Sequence, residues 1–195
     1  MNKRVILVTG TPCVGKTTLA KKLTAALNAQ YINLTELAEK EHLAIGKDKE
    51  RDTVIVNEDK MRLKLKEIIE NADAADIVID GHYAAAVTPK TAVTRVLVLR
   101  RNPIELRELM QKCGFSQRKQ DENLAAEILD ICLVEALRAL PKKKVCELDV
   151  SGKTVDDTLN EALAILEGKK DCPIGCVDWL GMLEELGKVD EYLKT

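Results

Sequence analysis

Apolar residues along the chain follow two alternating rhythms. Short runs that are apolar on both faces occupy Arg4–Thr9 (RVILVT), Asp76–Asp80 (DIVID) and Arg95–Arg100 (RVLVLR). A strand without a polar face is buried on both sides, as in a parallel sheet covered by helices. Tyr31–Leu34 (YINL) reads as a short second strand and Lys144–Asp149 (KVCELD) as a fifth. Between them the spacing turns helical. From Gly15 to about Leu27, the residues Leu19, Leu23, Ala26 and Leu27 share one side. Thr35 is the expected N-cap of a helix reaching about His42. Asn57–Asn71 is amphipathic, and Pro103 suits the first turn of a helix to Lys112. One long helix is expected from about Gln117 to Leu140, closed by Pro141, and another from Val155 to Leu166.

This alternation predicts an α/β fold: a five-stranded parallel sheet with helices on both faces and right-handed crossovers. Ligands then bind beyond the carboxyl ends of the strands, in the loops after Thr9, Leu34, Asp80 and Arg100. The pattern covers residues 1–167. Residues 168–195 carry the only tryptophan, Trp179, and are expected to pack on the domain as a helical appendage.

Composition narrows the function classes. With 46% hydrophobic and 32% charged residues the chain is globular rather than disordered. Lys and Arg total 30 against 32 acidic residues, so any nucleic-acid contact would need a local patch. Aromatics at 3% leave few platforms for stacking bases. No apolar run approaches the roughly 18 residues of a membrane span, and no signal segment precedes the first strand, so a cytoplasmic location is expected.

The first strand runs into TGTPCVGKTTL, where Gly10, Gly15, Lys16 and Thr17 fit G-x-x-x-x-G-K-[ST]. Glycines let the backbone turn so that several N–H groups converge on one oxyanion, and the following helix adds its N-terminal dipole. Lys16 then supplies a point charge to the β- and γ-phosphates of ATP, and the Thr17 hydroxyl suits Mg²⁺. Thr18 either meets the α-phosphate or faces water. Mg²⁺ also needs a carboxylate at the end of a neighbouring strand, and Asp80 is the candidate. Asp149 competes for that role, whereas Asp76 lies at the wrong end of its strand. His82, two residues beyond Asp80, is placed to orient an acceptor or take its proton. His42 reads as solvated surface.

The ordered set ILVTGTPCVGKTTLAKKL, YINLTELA, IVIDGHY, VLVLRRNP and GFSQRKQDENLAAEI resembles the adenylate-kinase-like ATPases of ribosome assembly. The resemblance covers about residues 4–150. It implies an adenylate-kinase-like P-loop fold, nucleoside monophosphate kinase and ATPase activities, and a role in late maturation of the small ribosomal subunit. It also implies AMP or a related monophosphate as acceptor, a small-subunit ribosomal protein as partner, and pre-ribosomal RNA as an indirect one. Carried onto this chain, phosphate contacts fall on Cys13, Gly15, Lys16, Thr17 and Thr18. The monophosphate region falls at about 33–56 and the lid at about 112–122, with Arg118 and Lys119 facing the triphosphate. Asp80-Gly81-His82 is the family's Asp-x-His element. The aromatic-Pro-Arg that follows Asp-Gly in metabolic adenylate kinases is absent here.

Three departures from the family pattern stand out. Cys13 occupies a usual Gly position, Cys113 stands where an Arg commonly precedes the lid glycine, and Glu39–Lys40 replaces an Arg of the monophosphate helix. Lys40, Arg51, Arg100, Arg107, Arg118 or Lys119 is then expected to compensate, with Arg100 foremost because it ends a central strand. Taken singly, each is more often a solvated charge. Without the resemblance, the generic motif equally fits a kinase of another small metabolite or of an RNA 5′ end.

Six cysteines are scattered at 13, 113, 132, 146, 172 and 176. Cys172 and Cys176 flank a PIG turn, and their spacing leaves three readings: free thiols in a packed turn, a disulfide, or half of a metal site. At Cys13 the side chain either packs quietly, or the convergent N–H groups and Lys16 lower its thiol pKa when nucleotide is absent.

Overall fold

The computed structural model describes residues 3–48 and 53–193. Five parallel strands form one sheet in the order β2-β5-β1-β6-β7: β1 (Arg4–Gly10), β2 (Gln30–Asn33), β5 (Asp76–Asp80), β6 (Val93–Arg100) and β7 (Val145–Asp149). β1 is central because its apolar alternation serves two cores. Val5 and Leu7 face one layer, and Ile6 and Val8 face the other. The first layer is closed by α2 (Leu34–Lys40), α3 (Glu58–Asn71), α4 (Ala84–Val87) and α7 (Ile131–Ala139). The second is closed by α1 (Lys16–Leu27), α5 (Pro103–Lys112), α6 (Gln117–Ile128), α8 (Val155–Leu166) and two C-terminal helices, α9 (Trp179–Glu185) and α10 (Val189–Tyr192). Each fully buried Leu, Ile or Val stabilises the fold by roughly 1.5–3 kcal/mol. Both layers therefore matter, and Trp179, Val189, Tyr192 and Leu193 belong to the second. No helix among the described residues is long and apolar enough to cross a membrane.

The strand order places β1 between β5 and β6, so the loop after β1 emerges at the carboxyl edge between two neighbouring strand ends. Gly10 closes that strand with φ 137°, and a Cβ there would sit 2.5 Å from the Leu99 carbonyl oxygen. The close approach of β1 to β6 thus demands glycine.

Several elements differ from the sequence expectation. Asn33, not Thr35, caps α2: its Oδ1 accepts from Thr35 N at 2.9 Å and Glu36 N at 3.1 Å. An antiparallel hairpin, β3 (Ala44–Asp48) with β4 (Thr53–Val56), has no counterpart among the expected elements. The expected helix 117–140 is two helices, broken at Leu129–Asp130, where Asp130 adopts φ 57°. Arg100 Nη2 takes the Glu127 carbonyl at 2.8 Å and Asp130 Oδ1 at 2.5 Å, so a buried guanidinium ends α6. Cys172 bonds to Cys146 rather than joining Cys176 in any of the three expected ways, with Cα atoms 4.9 Å apart. Sequence distance hid this pairing: Pro173 O accepts from Glu147 N at 2.9 Å, which lays the C-terminal segment along β7. Asp76 pairs with Arg4 at 2.5 Å across β1 and β5, at the end of the sheet away from the loops.

Candidate functional site

The loop Thr11–Gly15 joins β1 to α1. Gly15 caps α1 with φ 109°, and Cys13 holds φ 68°, a left-handed conformation that costs a non-glycine residue about 1 kcal/mol or more. The first-turn N–H groups of α1 point into the space ahead of the loop, the arrangement that suits an anion. Lys16 Nζ donates to the Thr11 carbonyl at 2.8 Å, folded back over its own loop. Burial pushes its pKa down, with Cys132 and Asp80 as the leading opposing influences.

Asp80 ends β5 beside the start of α1 and is 2% exposed. Its Oδ2 accepts from Thr17 Oγ at 2.6 Å, Tyr31 OH at 3.0 Å and Asn33 Nδ2 at 3.1 Å. A hydroxyl and a carboxylate side by side are the hard oxygen donors that Mg²⁺ takes from protein, with substrate phosphates completing its shell. Thr17 and Asp80 therefore fit that ion. Asp149 is committed elsewhere: its Oδ1 accepts from Ser151 N and Oγ at 2.9 and 2.6 Å.

His82 follows Asp80 by two residues. Its carbonyl accepts from Thr9 Oγ at 2.8 Å, and its ring lies edge-on to Tyr83 with centroids 4.9 Å apart. The residue is open on its cavity side, yet packing around the ring, then the Lys16 charge, push its pKa down to about 4. The imidazole is neutral at pH 7 and can accept a hydrogen bond.

Two cavities flank the loop. One of about 260 Å³ is lined by Cys13, Gly15 and Thr18 on the loop side and by Arg101, Lys153 and Val155 opposite. The other, of about 480 Å³, is lined by Pro12, Glu39, His82, Tyr83, Lys119 and Glu135 among others. Lys16 and the Thr17–Asp80 pair lie in the elements between them.

The expected cations divide sharply. Lys119 lines the larger cavity and stands 4.9 Å from the Phe115 ring centroid. Arg118 pairs with Glu122 along α6 at 3.2 Å, on the exposed side. Arg100, expected foremost at the triphosphate, is turned away from it. It is 1% exposed and bound to Glu127, Glu147 and Asp130 at 2.8, 2.5 and 2.5 Å. Alternation along β6 sends its side chain into the core, where three carboxylates hold it. Arg107 pairs with Glu191 at 2.5 Å and lies over the Tyr192 ring, tethering α10. Lys40 is exposed in the last turn of α2, and Arg51 lies outside the described residues. Sequence reasoning missed Arg101, whose Nε reaches the Val14 carbonyl at 3.3 Å and whose Nη2 lies 4.0 Å from where a Gly15 Cβ would be. The signal was the Arg100–Arg101 doublet itself, since a strand end that buries one side chain presents the next. Tyr31, Asn33 and Lys153 were missed as well, because residues of their types carry no motif.

The thiols are set opposite to one sequence expectation. The Cys13 pKa is pushed up to about 11, first by burial and then by its hydrogen bond with Cys113. Lys16 and Lys119 oppose this and lose. Cys132, also beside Lys16, is pushed up to about 11 by burial.

Comparison with known proteins agrees with this geometry. Residues 6–130 match the model of a family described as an AAA domain. A protein of Methanocaldococcus jannaschii is 36% identical over 174 residues, covering 89% of this chain and 92% of its own length. One from Saccharolobus solfataricus is 36% identical over 191 residues, 95% of each chain, and one from Pyrococcus furiosus is 34% identical over 182, covering 93% of this chain and 94% of its own. All three are named "Putative adenylate kinase". Among solved structures, the shikimate kinase of Acinetobacter baumannii in complex with shikimate superposes with a TM-score of 0.60 at 14% identity, covering 86% of this chain and 95% of its own. A gluconokinase of Sinorhizobium meliloti gives 0.54 at 16%, covering 86% and 94%. These two likenesses speak to the fold alone, and it is that of the P-loop kinases. From its loop, its sheet order and these archaeal relatives, the chain belongs to the adenylate-kinase-like family of P-loop proteins.

Proposed function

We propose that the protein is a Mg²⁺-dependent nucleoside monophosphate kinase that passes the γ-phosphoryl group of ATP to AMP or a related monophosphate. The observation that carries this reading is the pair of cavities on either side of one phosphate loop, with Lys16, Thr17 and Asp80 between them. The smaller cavity takes the ATP base between the loop and the apolar wall at Val155, with Arg101 and Lys153 at its rim. The larger, between α2, α6 and the turn at His82, takes the acceptor. Residues 33–56 serve as the monophosphate region and about 112–122 as the lid over the triphosphate, with Lys119 and Arg118 as its cations.

In this reading Lys16 exchanges the Thr11 carbonyl for phosphate oxygens, and the loop N–H groups hold the β-phosphate. Thr17 and Asp80 hold Mg²⁺, which when bound neutralises charge on the β- and γ-phosphates. Neutral His82 donates its ring N–H to a phosphate oxygen of the acceptor and fixes its attitude. Closure of the lid segment excludes water. The names of the archaeal relatives support adenine nucleotides as the substrates.

A second reading, ATP hydrolysis used as a conformational switch, is favoured by one feature. Glu39, Glu122 and Glu135 line the larger cavity beside Lys119, an acidic wall for a monophosphate to approach. The role in small-subunit maturation that the family resemblance implies attaches to this reading, with a small-subunit ribosomal protein as the partner that the switch would act on.

The test is ADP formation from ATP by the purified protein, with and without AMP, alongside Lys16→Ala. We predict AMP-dependent ADP formation that falls at least about 100-fold in the variant. Hydrolysis indifferent to AMP supports the switch, and no turnover of ATP in any condition refutes both readings.

A further inference from the structure

Behind the phosphate loop lies a carboxylate that lines neither cavity. Glu127, in the last turn of α6, is 1% exposed and bonded at both oxygens. Oε2 accepts from Thr11 Oγ at 2.5 Å. Oε1 accepts from Arg100 Nε at 2.8 Å, Arg101 N at 3.1 Å and the indole N–H of Trp179 at 3.1 Å. Four donors, one of them a guanidinium, converge on this one carboxylate.

Two of these partners belong to the loop's own support. Thr11 is its first residue, 1% exposed, and its carbonyl is the group that holds Lys16 Nζ at 2.8 Å. Arg101 reaches the Val14 carbonyl at 3.3 Å from the other end of the loop. One carboxylate therefore fixes the loop at its start through a side chain and near its end through a neighbour. A further partner is remote in sequence. Trp179 opens α9, is 7% exposed, and is the only tryptophan of the chain. The same support is tied to the C-terminal segment again through Glu147, which binds Arg100 at 2.5 Å and accepts from Gly175 N and Cys176 N at 2.6 and 2.8 Å.

We propose that Glu127 is a positioning residue for the phosphate loop, acting on Lys16 through Thr11, and that the helix bearing Trp179 is coupled to loop occupancy through the same carboxylate. The proposal rests on the loop's binding ATP. When Lys16 leaves the Thr11 carbonyl for phosphate, Thr11 keeps Glu127 as its side-chain anchor, and the charge distribution around the Trp179 indole changes. The C-terminal helices are thereby part of the nucleotide site's framework rather than a passive cover.

Thr11→Val removes the donor while keeping the shape, and Glu127→Gln keeps the volume but places an amide where acceptors are required. ATP affinity is measured by calorimetry, kcat and KM by coupled assay, folding by circular dichroism, and Trp179 emission on addition of Mg·ATP. In wild type, Mg·ATP alters Trp179 emission. In folded Thr11→Val the alteration is lost although ATP still binds, and kcat falls between about 10-fold and about 100-fold with the KM for AMP unchanged. A merely structural role lowers the thermal midpoint without that split. Should Glu127→Gln fail to fold, Thr11→Val and the wild-type emission decide alone. ATP binding with unaltered emission, together with wild-type kcat in Thr11→Val, overturns this proposal. No ATP binding by the wild-type protein overturns both it and the reading of the loop.

Discussion

At Cys13 the backbone is held at φ 68° while the side chain packs beside Cys113 at the end of α5. The residue gives the loop its N–H and a contact with the C-terminal end of α5, at the cost of a conformation glycine adopts freely. Burial and the neighbouring thiol raise its pKa to about 11 despite Lys16, so the reactive thiolate is scarce at neutral pH. The sign follows directly: a thiol that ionises above its usual range gains reactivity only as pH climbs. Alkylation mapped to Cys13 should be slow at pH 7, rise about tenfold for each pH unit toward 10, and slow again when ATP fills the adjoining cavity. A rate that levels off by pH 8, or that ATP leaves unchanged, contradicts this placement. At His82 the two influences act together instead: packing and the Lys16 charge both keep its ring neutral where a free histidine would begin to protonate.

The joint of α6 and α7 is built on Arg100, with Glu127 and Glu147 buried around it and Asp130 at the break. Removing one partner of such a set strands the others in the core, which costs about 3–5 kcal/mol. Arg100→Met should therefore lower unfolding stability by that amount in denaturant titration. A variant of wild-type stability that has lost phosphoryl transfer would return Arg100 to the phosphate side. This residue also marks where sequence reading stops. The strands and the phosphate loop were legible because period-two apolar runs and a fixed glycine–lysine spacing are local properties. Asp80 was legible because a carboxylate at the end of a buried strand has few other uses. Arg100 was not, since Arg101 follows it directly beyond the end of β6 and only the positions of Glu127 and Glu147, far along the chain, decide which one is buried. The α6–α7 break has the same cause: a guanidinium distant in sequence bonds Asp130, which stands at positive φ between the two helices. The Cys146–Cys172 bond and the β3–β4 hairpin likewise depend on pairings that periodicity does not encode.

Across the whole molecule, the sheet order brings the carboxyl ends of β1, β5 and β6 together and so sets the phosphate loop beside the Thr17–Asp80 pair, with a cavity on each side of the loop and His82 lining the larger one. The C-terminal segment closes the second core and reaches the loop through Glu127, which bonds both Thr11 and Trp179. The central claim is that the γ-phosphoryl group leaves ATP for a nucleotide acceptor in the larger cavity. Positioning and charge do the chemistry in such transfers, so the fate of that group distinguishes a kinase from a switch. The most direct measurement follows ATP labelled in its γ-phosphoryl group, incubated with Mg²⁺ and AMP. The account predicts label in ADP, and at least about 100-fold less of it with Lys16→Ala. Label released only as inorganic phosphate, in equal amount with and without AMP, would contradict it.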